Sequence, residues 1–288
     1  MARGAWAEHR WVLQARRRWP VVDTLVVAMD RFRIHRTGRN SALVSHYAFL
    51  SVFPLLLVFV TVLGFLLDGN PDLQASIIDS TLANFPIIGN EIAEDPTQLT
   101  GSLGLLIFGL LTATWSGLRA FNVLQTALDD IAEIPMEHRP TLVQTRLRSL
   151  LGIVLVGGGL VGAALLSGVA TASDTGWVSR VLLVSGTLLL NGAVAAGCYR
   201  WLCSARPEWS EVLPGAAMAA FGFTLLQVVG TGLMTRAIVR ATPIYGTFAT
   251  VIGLLFWFGL HSGISLLGAE LNGVVKLHRE RTAARPAV

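Results

Sequence analysis

The sequence predicts an all-α fold: a polytopic six-helix transmembrane bundle with N-terminal amphipathic interfacial helices. Three observations carry that expectation. Residues 41–67 contain no Asp, Glu, Lys or Arg. A bilayer core about 30 Å thick needs roughly 20 apolar helical residues, so this run spans it with a margin for tilt. The composition, 53% hydrophobic and 14% charged with a mean hydropathy of +0.60, lies outside the soluble range. Finally, the 22 basic residues, of which Lys276 is the one lysine, fall almost entirely on alternate sides of the apolar runs.

The first 40 residues form a basic arm carrying nine arginines. Val21, Val22, Leu25, Val26, Met29 and Phe32 recur at helical spacing, but Asp23 and Asp30 interrupt them, so the segment is expected to lie on the membrane and not cross it. Trp6, Trp11 and Trp19 would sit at headgroup depth, with Arg16, Arg17 and Arg18 toward anionic lipid. The competing reading is a solvated basic arm.

The first span is expected over residues 42–67. It is no signal peptide, because a long arginine-rich segment precedes it and no small-residue cleavage site follows. Pro54 removes a backbone donor and crowds the carbonyl of Leu50, which predicts a kink. In hydrocarbon the freed carbonyl must find a partner within the protein or in trapped water. Tyr47 and Ser51 lie seven and three residues earlier, on the kinked face. Residues 68–99 carry Asp68, Asp72, Asp79, Glu91, Glu94 and Asp95 and no basic residue, which places them outside. Ile77, Ile78, Leu82 and Phe85 suggest a short amphipathic helix within them.

A second span is expected over 100–118, closing on Trp115 and Arg119 at an interface. Beyond it Phe121, Leu124, Leu128 and Ile131 continue a helical spacing that Pro135 and Pro140 then break. Arg119, Arg139, Arg146 and Arg148 place this loop inside. The third span, 149–172, contains Gly157, Gly158, Gly159 and Gly162, which allow close helix contact. Asp174 and Arg180 mark a short outer loop. The fourth span, 181–199, buries Asn191 and is followed by Arg200 and Arg206. Pro214 opens the fifth, 212–235, at a first turn where its missing donor costs little; Gln227 lies within it. The sixth, 244–269, ends in Glu270, Leu271 and Asn272, and a basic tail follows from Lys276.

Counting Lys and Arg by side gives 19 inside and three outside. Six spans with both termini cytoplasmic satisfy that asymmetry, whereas an odd number would put one basic terminus outside. The pI near 9.7 therefore reflects membrane orientation, and nucleic acid is not an expected partner. Cys198 and Cys203 are too few for a thiolate metal site and are expected as reduced thiols.

Polar groups inside a membrane are costly, so they are where function is sought first. The candidates are His46, Tyr47, Ser51 and Pro54 in span one, Asn191 in span four, Gln227 in span five, and His261, Glu270 and Asn272 in span six. Together they would line a cavity open to the cytoplasm. The bland alternative is that each only hydrogen-bonds a neighbouring helix, worth about 0.6 kcal/mol in typical membrane cases. Glu270, at the membrane edge, would pair either with a substrate or with an arginine of the second or fourth loop. Enzymatic readings find little footing. The six histidines form no HExxH or other close ligand spacing, and neither a P-loop nor a GxSxG elbow is present. No cofactor and no metal are expected.

Read together, Ser41-Ala42 and Tyr47 to Leu56 in span one, Leu213-Pro214-Gly215-Ala216 before span five, Tyr245-Gly246, and Gly268-Ala269-Glu270-Leu271-Asn272 resemble the YihY/BrkB family of bacterial inner-membrane proteins. The resemblance covers roughly residues 31–275. Where that family usually carries an ALN-type segment after span two, this chain has Ala127-Leu128-Asp129-Asp130-Ile131, and no asparagine role is carried over. The resemblance implies a six-helix inner-membrane protein linked to movement of lipopolysaccharide precursors or other lipids, and a ribonuclease label that the missing metal ligands do not support.

The expected function is thus a lipid or glycolipid translocase, or an accessory to one, with membrane lipids as partners and an anionic headgroup as cargo. His46 and His261 would meet the headgroup, Tyr47, Ser51 and Pro54 would shape the cavity, and Glu270 with Asn272 would hold an inner gate. A non-transporting scaffold for envelope assembly is the alternative from another class. A homo-oligomer is compatible with either.

Overall fold

The computed structural model describes residues 18–66, 103–172, 176–230, 232–233, 236–237, 240 and 248–283. The expected outer acidic loop with its short helix, the tryptophans Trp6 and Trp11, Arg16, Arg17, Asp174 and Tyr245-Gly246 lie outside the described residues. Every regular element among those described is helical. The order is α1 (Pro20–Ile34), α2 (Thr37–Leu66), α3 (Leu103–Ile131), a 3₁₀ turn (Met136–His138), α4 (Leu142–Ala172), α5 (Trp177–Leu202), α6 (Trp209–Leu225) running into a π turn (Leu226–Gly230), and α7 (Phe248–Ala283).

Four stretches are long and apolar enough to cross a membrane among the described residues: Leu142–Ala163, Val181–Leu202, Trp209–Gly230 and Val251–Arg279. Their outward faces are the kind only lipid tolerates. Leu160 and Leu165 on α4, Leu182 and Leu189 on α5 and Phe221 on α6 are all exposed, a density of bare apolar side chains that water would penalise. The protein is an all-α membrane bundle.

The chain divides into two compact units. The first comprises residues 1–44, 121–226 and 259–288, and the second 45–120 and 227–258. In the first, the core is built from α3, α5, α6 and α7: Leu128 and Ile131, Ala195, Ala196, Tyr199 and Leu202, Val212, Ala216 and Ala219, Leu266 and Ala269. Alanine dominates on α5 and α6, and its short side chain lets helix backbones approach, which supplies the packing that replaces a hydrophobic driving force in lipid. Phe32 brings α1 against the same core, and Ala28 is fully buried. The arm is therefore packed in its second half, with Leu25, Met29 and Ile34 on the exposed side.

In the second unit Val52 of α2 and Leu254 of α7 form the core with Phe49 and Phe258. The Ser45 hydroxyl donates to the Leu255 carbonyl at 2.8 Å.

Two local differences from the expected elements have simple causes. The periodic run Phe121 to Ile131 continues the second span without a break, so α3 is one helix of 29 residues. It stops where Glu133, in the left-handed region at φ 55°, closes the end: the Glu133 amide donates to Asp130 and the Ile134 amide to Asp129, at 3.1 and 2.9 Å. Second, α6 starts at Trp209, so Pro214 lies inside the helix and not at its first turn. The Ser210 carbonyl, deprived of its partner by that proline, accepts a hydrogen bond from Arg279 Nη1 at 3.3 Å. Pro54 likewise lies inside α2.

Candidate functional site

The most concentrated chemistry in the first unit gathers around Glu270, whose side chain is 0% exposed. The α7 backbone brings it to the level where α1 ends and α2 begins. There the last turn of α1, the turn that follows it, with Arg36 in the left-handed region at φ 53°, and the first residue of α2 present three groups. His35 Nδ1 stands 2.9 Å from Oε1 and 3.2 Å from Oε2 of Glu270. Thr37 Oγ1 donates to Oε1 at 2.8 Å. Arg31 Nε lies 3.4 Å from Oε2, an ion contact that is too poorly aligned to count as a hydrogen bond. Arg31 Nη2 reaches the C-terminal end of α3, donating to the Ile131 carbonyl at 3.1 Å and pairing with Glu133 Oε1 at 3.0 Å. A buried carboxylate is tolerable only with such partners.

Close beside Glu270 in sequence, Asn272 Oδ1 accepts from the Gly215 amide at 2.6 Å. This ties α7 to α6 where both backbones are bare: a Cβ on Gly215 would collide with the Gly268 carbonyl oxygen, and one on Gly268 with Gly215 in turn. Tyr199 Oη donates to the Ser265 carbonyl at 2.6 Å, adding α5. Further along the span, Asn191 Nδ2 donates to Thr224 Oγ1 at 3.4 Å, and the neighbouring Phe223 stacks on the His261 ring, centroids 5.4 Å apart. Ser41 and Ser262 bond hydroxyl to hydroxyl at 2.8 Å between α2 and α7.

The remaining sequence candidates belong to the second unit. His46 is exposed and meets the Tyr47 ring edge-on at 5.7 Å. Ser51 is buried and its hydroxyl bonds back to the Ala48 carbonyl of its own helix at 2.6 Å, the satisfied state of a serine in an apolar helix. Pro54 is half-buried, and Gln227 is exposed within the π turn. So Asn191, His261, Glu270 and Asn272 share one unit and His46, Tyr47, Ser51, Pro54 and Gln227 the other.

Several contributors were not singled out from sequence. Glu270 pairs not with an arginine of the second or fourth loop but with Arg31 and His35 of the arm. Asp129, at the position where the sequence departs from the ALN-type segment, is buried. Its carboxylate accepts from the Ser204 amide at 2.8 Å and the Ser204 hydroxyl at 2.7 Å, and Arg148 Nη1 donates to that hydroxyl at 3.0 Å. The signal available was a pair of acids, Asp129 and Asp130, at the end of a strongly periodic helix. Asp130 takes the ordinary role and pairs with Arg139 at 2.7 Å. Cys198 and Cys203 are both buried and free. At Cys203, just past the end of α5, burial pushes the thiol up to about 11, only partly offset by the hydrogen bond from the Ala205 backbone. Among the described residues no three or more His, Cys, Asp or Glu side chains are placed to hold a metal ion.

A bundle of apolar helices with its ionisable side chains gathered at the helix ends and a few paired polar groups within the spans defines a multi-pass integral membrane protein. The virulence factor BrkB family model matches residues 28–287, and the chain belongs to that family. Among its relatives, YfkH of Bacillus subtilis, which bears a ribonuclease-like name, is 25% identical over 266 residues, 88% of this chain and 94% of that protein. A UPF0761 membrane protein of Azoarcus is 28% identical over 278 residues, 93% of this chain and 67% of the relative. The inner membrane protein YhjD of Escherichia coli is 24% identical over 279 residues, 88% and 80% of the two chains. No solved structure matches.

Proposed function

We propose that this protein, seated in the bacterial cytoplasmic membrane, binds an anionic lipid or glycolipid and moves it between leaflets, or serves as an accessory to a translocase that does, without a cofactor and without an enzymatic step. The observation that carries this reading is the polar set placed among apolar spans. Asn191 of α5 bonds Thr224 of α6, and the adjoining Phe223 stacks on His261 of α7. Polar groups are expensive at membrane depth and tend to mark substrate paths when several helices contribute them. Two backbone features add support: Pro54 lies inside the continuous helix α2, leaving one carbonyl without its helical partner, and a π turn follows α6, features that membrane proteins tolerate where neighbouring helices or a cavity satisfy the backbone. Arginines at the inner corners would draw the anionic headgroup.

The test is reconstitution into phosphatidylcholine vesicles containing a trace of fluorescent phosphatidylglycerol, with dithionite added outside. Wild-type protein should drain the protected inner-leaflet pool, and His261→Ala and Asn191→Ala should slow that draining at least tenfold. Wild-type vesicles that keep their inner pool as empty vesicles do would overturn the proposal and leave a scaffold as the better account.

A further inference from the structure

We infer that Glu133, His35 and Glu270 form a proton relay that loads and unloads the buried Glu270 from water at that end of the bundle. The three groups stand in order of exposure. Glu133 is 65% exposed, His35 16% and Glu270 0%. His35 has one ring nitrogen on each carboxylate: Nδ1 is 2.9 Å from Glu270 Oε1, and Nε2 is 3.8 Å from Glu133 Oε1. An imidazole placed between an outer and an inner carboxylate can take a proton on one nitrogen and release one from the other.

The resting hydrogen bonds set the direction. The Glu270 carboxylate can only accept, so Nδ1 carries the N–H, and in the neutral ring Nε2 is the nitrogen open to a proton. A proton from water binds Glu133 Oε1. The 3.8 Å gap is beyond a hydrogen bond, and a swing of this exposed, flexible side chain by about 1 Å closes it. The proton then passes to Nε2 while the Nδ1 proton passes to Glu270 Oε1. One proton enters and one is delivered, the ring ends neutral with its N–H moved from Nδ1 to Nε2, and the reverse sequence resets it.

Among the described residues the charged groups facing His35 and Glu270 are Arg31 from α1 and Glu133 from the turn after α3. From α2 comes only the neutral Thr37, whose hydroxyl stays on Glu270 Oε1 at 2.8 Å. Arg31 spans both carboxylates, 3.0 Å from Glu133 Oε1 and 3.4 Å from Glu270 Oε2, and remains charged throughout. Protonating Glu270 removes the negative charge that Arg31 and His35 face, and so loosens the hold of α1 and the α1–α2 turn on α7. As the source of energy for lipid movement, the relay rests on the function proposed above; as a proton site it does not.

The experiment is infrared difference spectroscopy of the full chain in lipid nanodiscs after a rapid pH drop, reading the stretch of a protonated, buried carboxyl group. Wild type should show that band, and the isosteric Glu270→Gln should lack it. His35→Gln should slow its rise at least tenfold. The surface variant Glu133→Gln, which keeps the side chain's size and the hydrogen bonds of His35 and Thr37 to Glu270 while weakening only the outer partner of Arg31, should slow it severalfold. A band that survives Glu270→Gln, or a rise as fast as wild type in both His35→Gln and Glu133→Gln, would overturn the relay. Because no lipid has to move, this result is independent of the vesicle assay, whose failure would overturn the translocase alone.

Discussion

Asp129 shows what one residue holds. Its two oxygens accept from both the amide and the hydroxyl of Ser204, fastening the end of α3 to the corner after α5. Asp129→Ala leaves two donors facing a buried gap and should cost about 2 to 3 kcal/mol, read as a lower thermal midpoint in detergent; Asp129→Asn keeps one acceptor and should cost about half as much. The same corner makes a prediction about Cys203. Its thiol is raised from 9.0 to about 11 by burial, so the folded state prefers the neutral form. The reactive thiolate should be scarce at pH 8 and grow about tenfold per pH unit up to pH 11. Maleimide labelling of the Cys198→Ser chain should follow that rise, and full labelling at pH 8 without unfolding would contradict the burial. The sign for stability is the same: the contribution is whole below pH 9 and lost as pH climbs through 11. At this scale the sequence disclosed which residues were unusual better than it disclosed their partners. Glu270 stood out as an acid at the end of an apolar run, but nine arginines precede the first span, and nothing in their spacing selects Arg31. That choice is made by the α1–α2 turn, which is tertiary.

Helices divide by what their glycines face. On α4, an added Cβ at Gly152 would collide with the Phe121 ring and one at Gly159 with Val194, whereas Gly157 and Gly158 meet nothing within 4 Å. Gly158→Ala should therefore be neutral or stabilise by up to about 1 kcal/mol, through helix propensity alone. Gly215→Ala puts a methyl group into the backbone of α7, where no side chain can swing aside. It should cost about 3 kcal/mol or more, at the upper end for overpacking, and break the Asn272 hydrogen bond as well. Thermal midpoints of the two variants side by side check the pair. The four glycines of the third span announced close packing in the sequence without saying which of them packed, because neighbouring helical positions differ by 100° of rotation and the partner helix sets which side is inner. The C-terminal end of α3 was legible for the opposite reason. The spacing Phe121, Leu124, Leu128, Ile131 continues the period of the second span, and those residues pack on the core of the first unit. The start of α6 was misplaced because Pro214 reads as a first-turn residue, while the Arg279 bond that accommodates it inside the helix comes from far along the chain.

For the molecule as a whole, arginine placement and fold agree on which loops belong together. The hydrogen bonds of Asp129 and Arg148 to Ser204 bring the α3 end and α4 start to the corner after α5. Arg31 bonds the Ile131 carbonyl and faces Glu270, adding the α1 end and the far half of α7. Every loop that the positive-inside count assigned to the cytoplasm and that the structure describes is thus gathered at one end of the first unit, although the count used no distances. Two independent constraints give this result. Translocation leaves arginine-rich loops behind, and ionisable groups needed for packing can be hydrated and paired only at a membrane surface. The side that this end faces is a prediction from charge: the arginine asymmetry puts it in the cytoplasm. A C-terminal green fluorescent protein fusion should fluoresce and a C-terminal alkaline phosphatase fusion should be inactive in Escherichia coli. Replacing Arg279, Arg281 and Arg285 with Gln should not invert the result, since 19 of 22 basic residues bias one side and the segments before the first span dominate orientation. An active phosphatase would place the α7 end outside, and with it the Glu270 cluster, so that any proton reaching Glu133 would come from the opposite compartment.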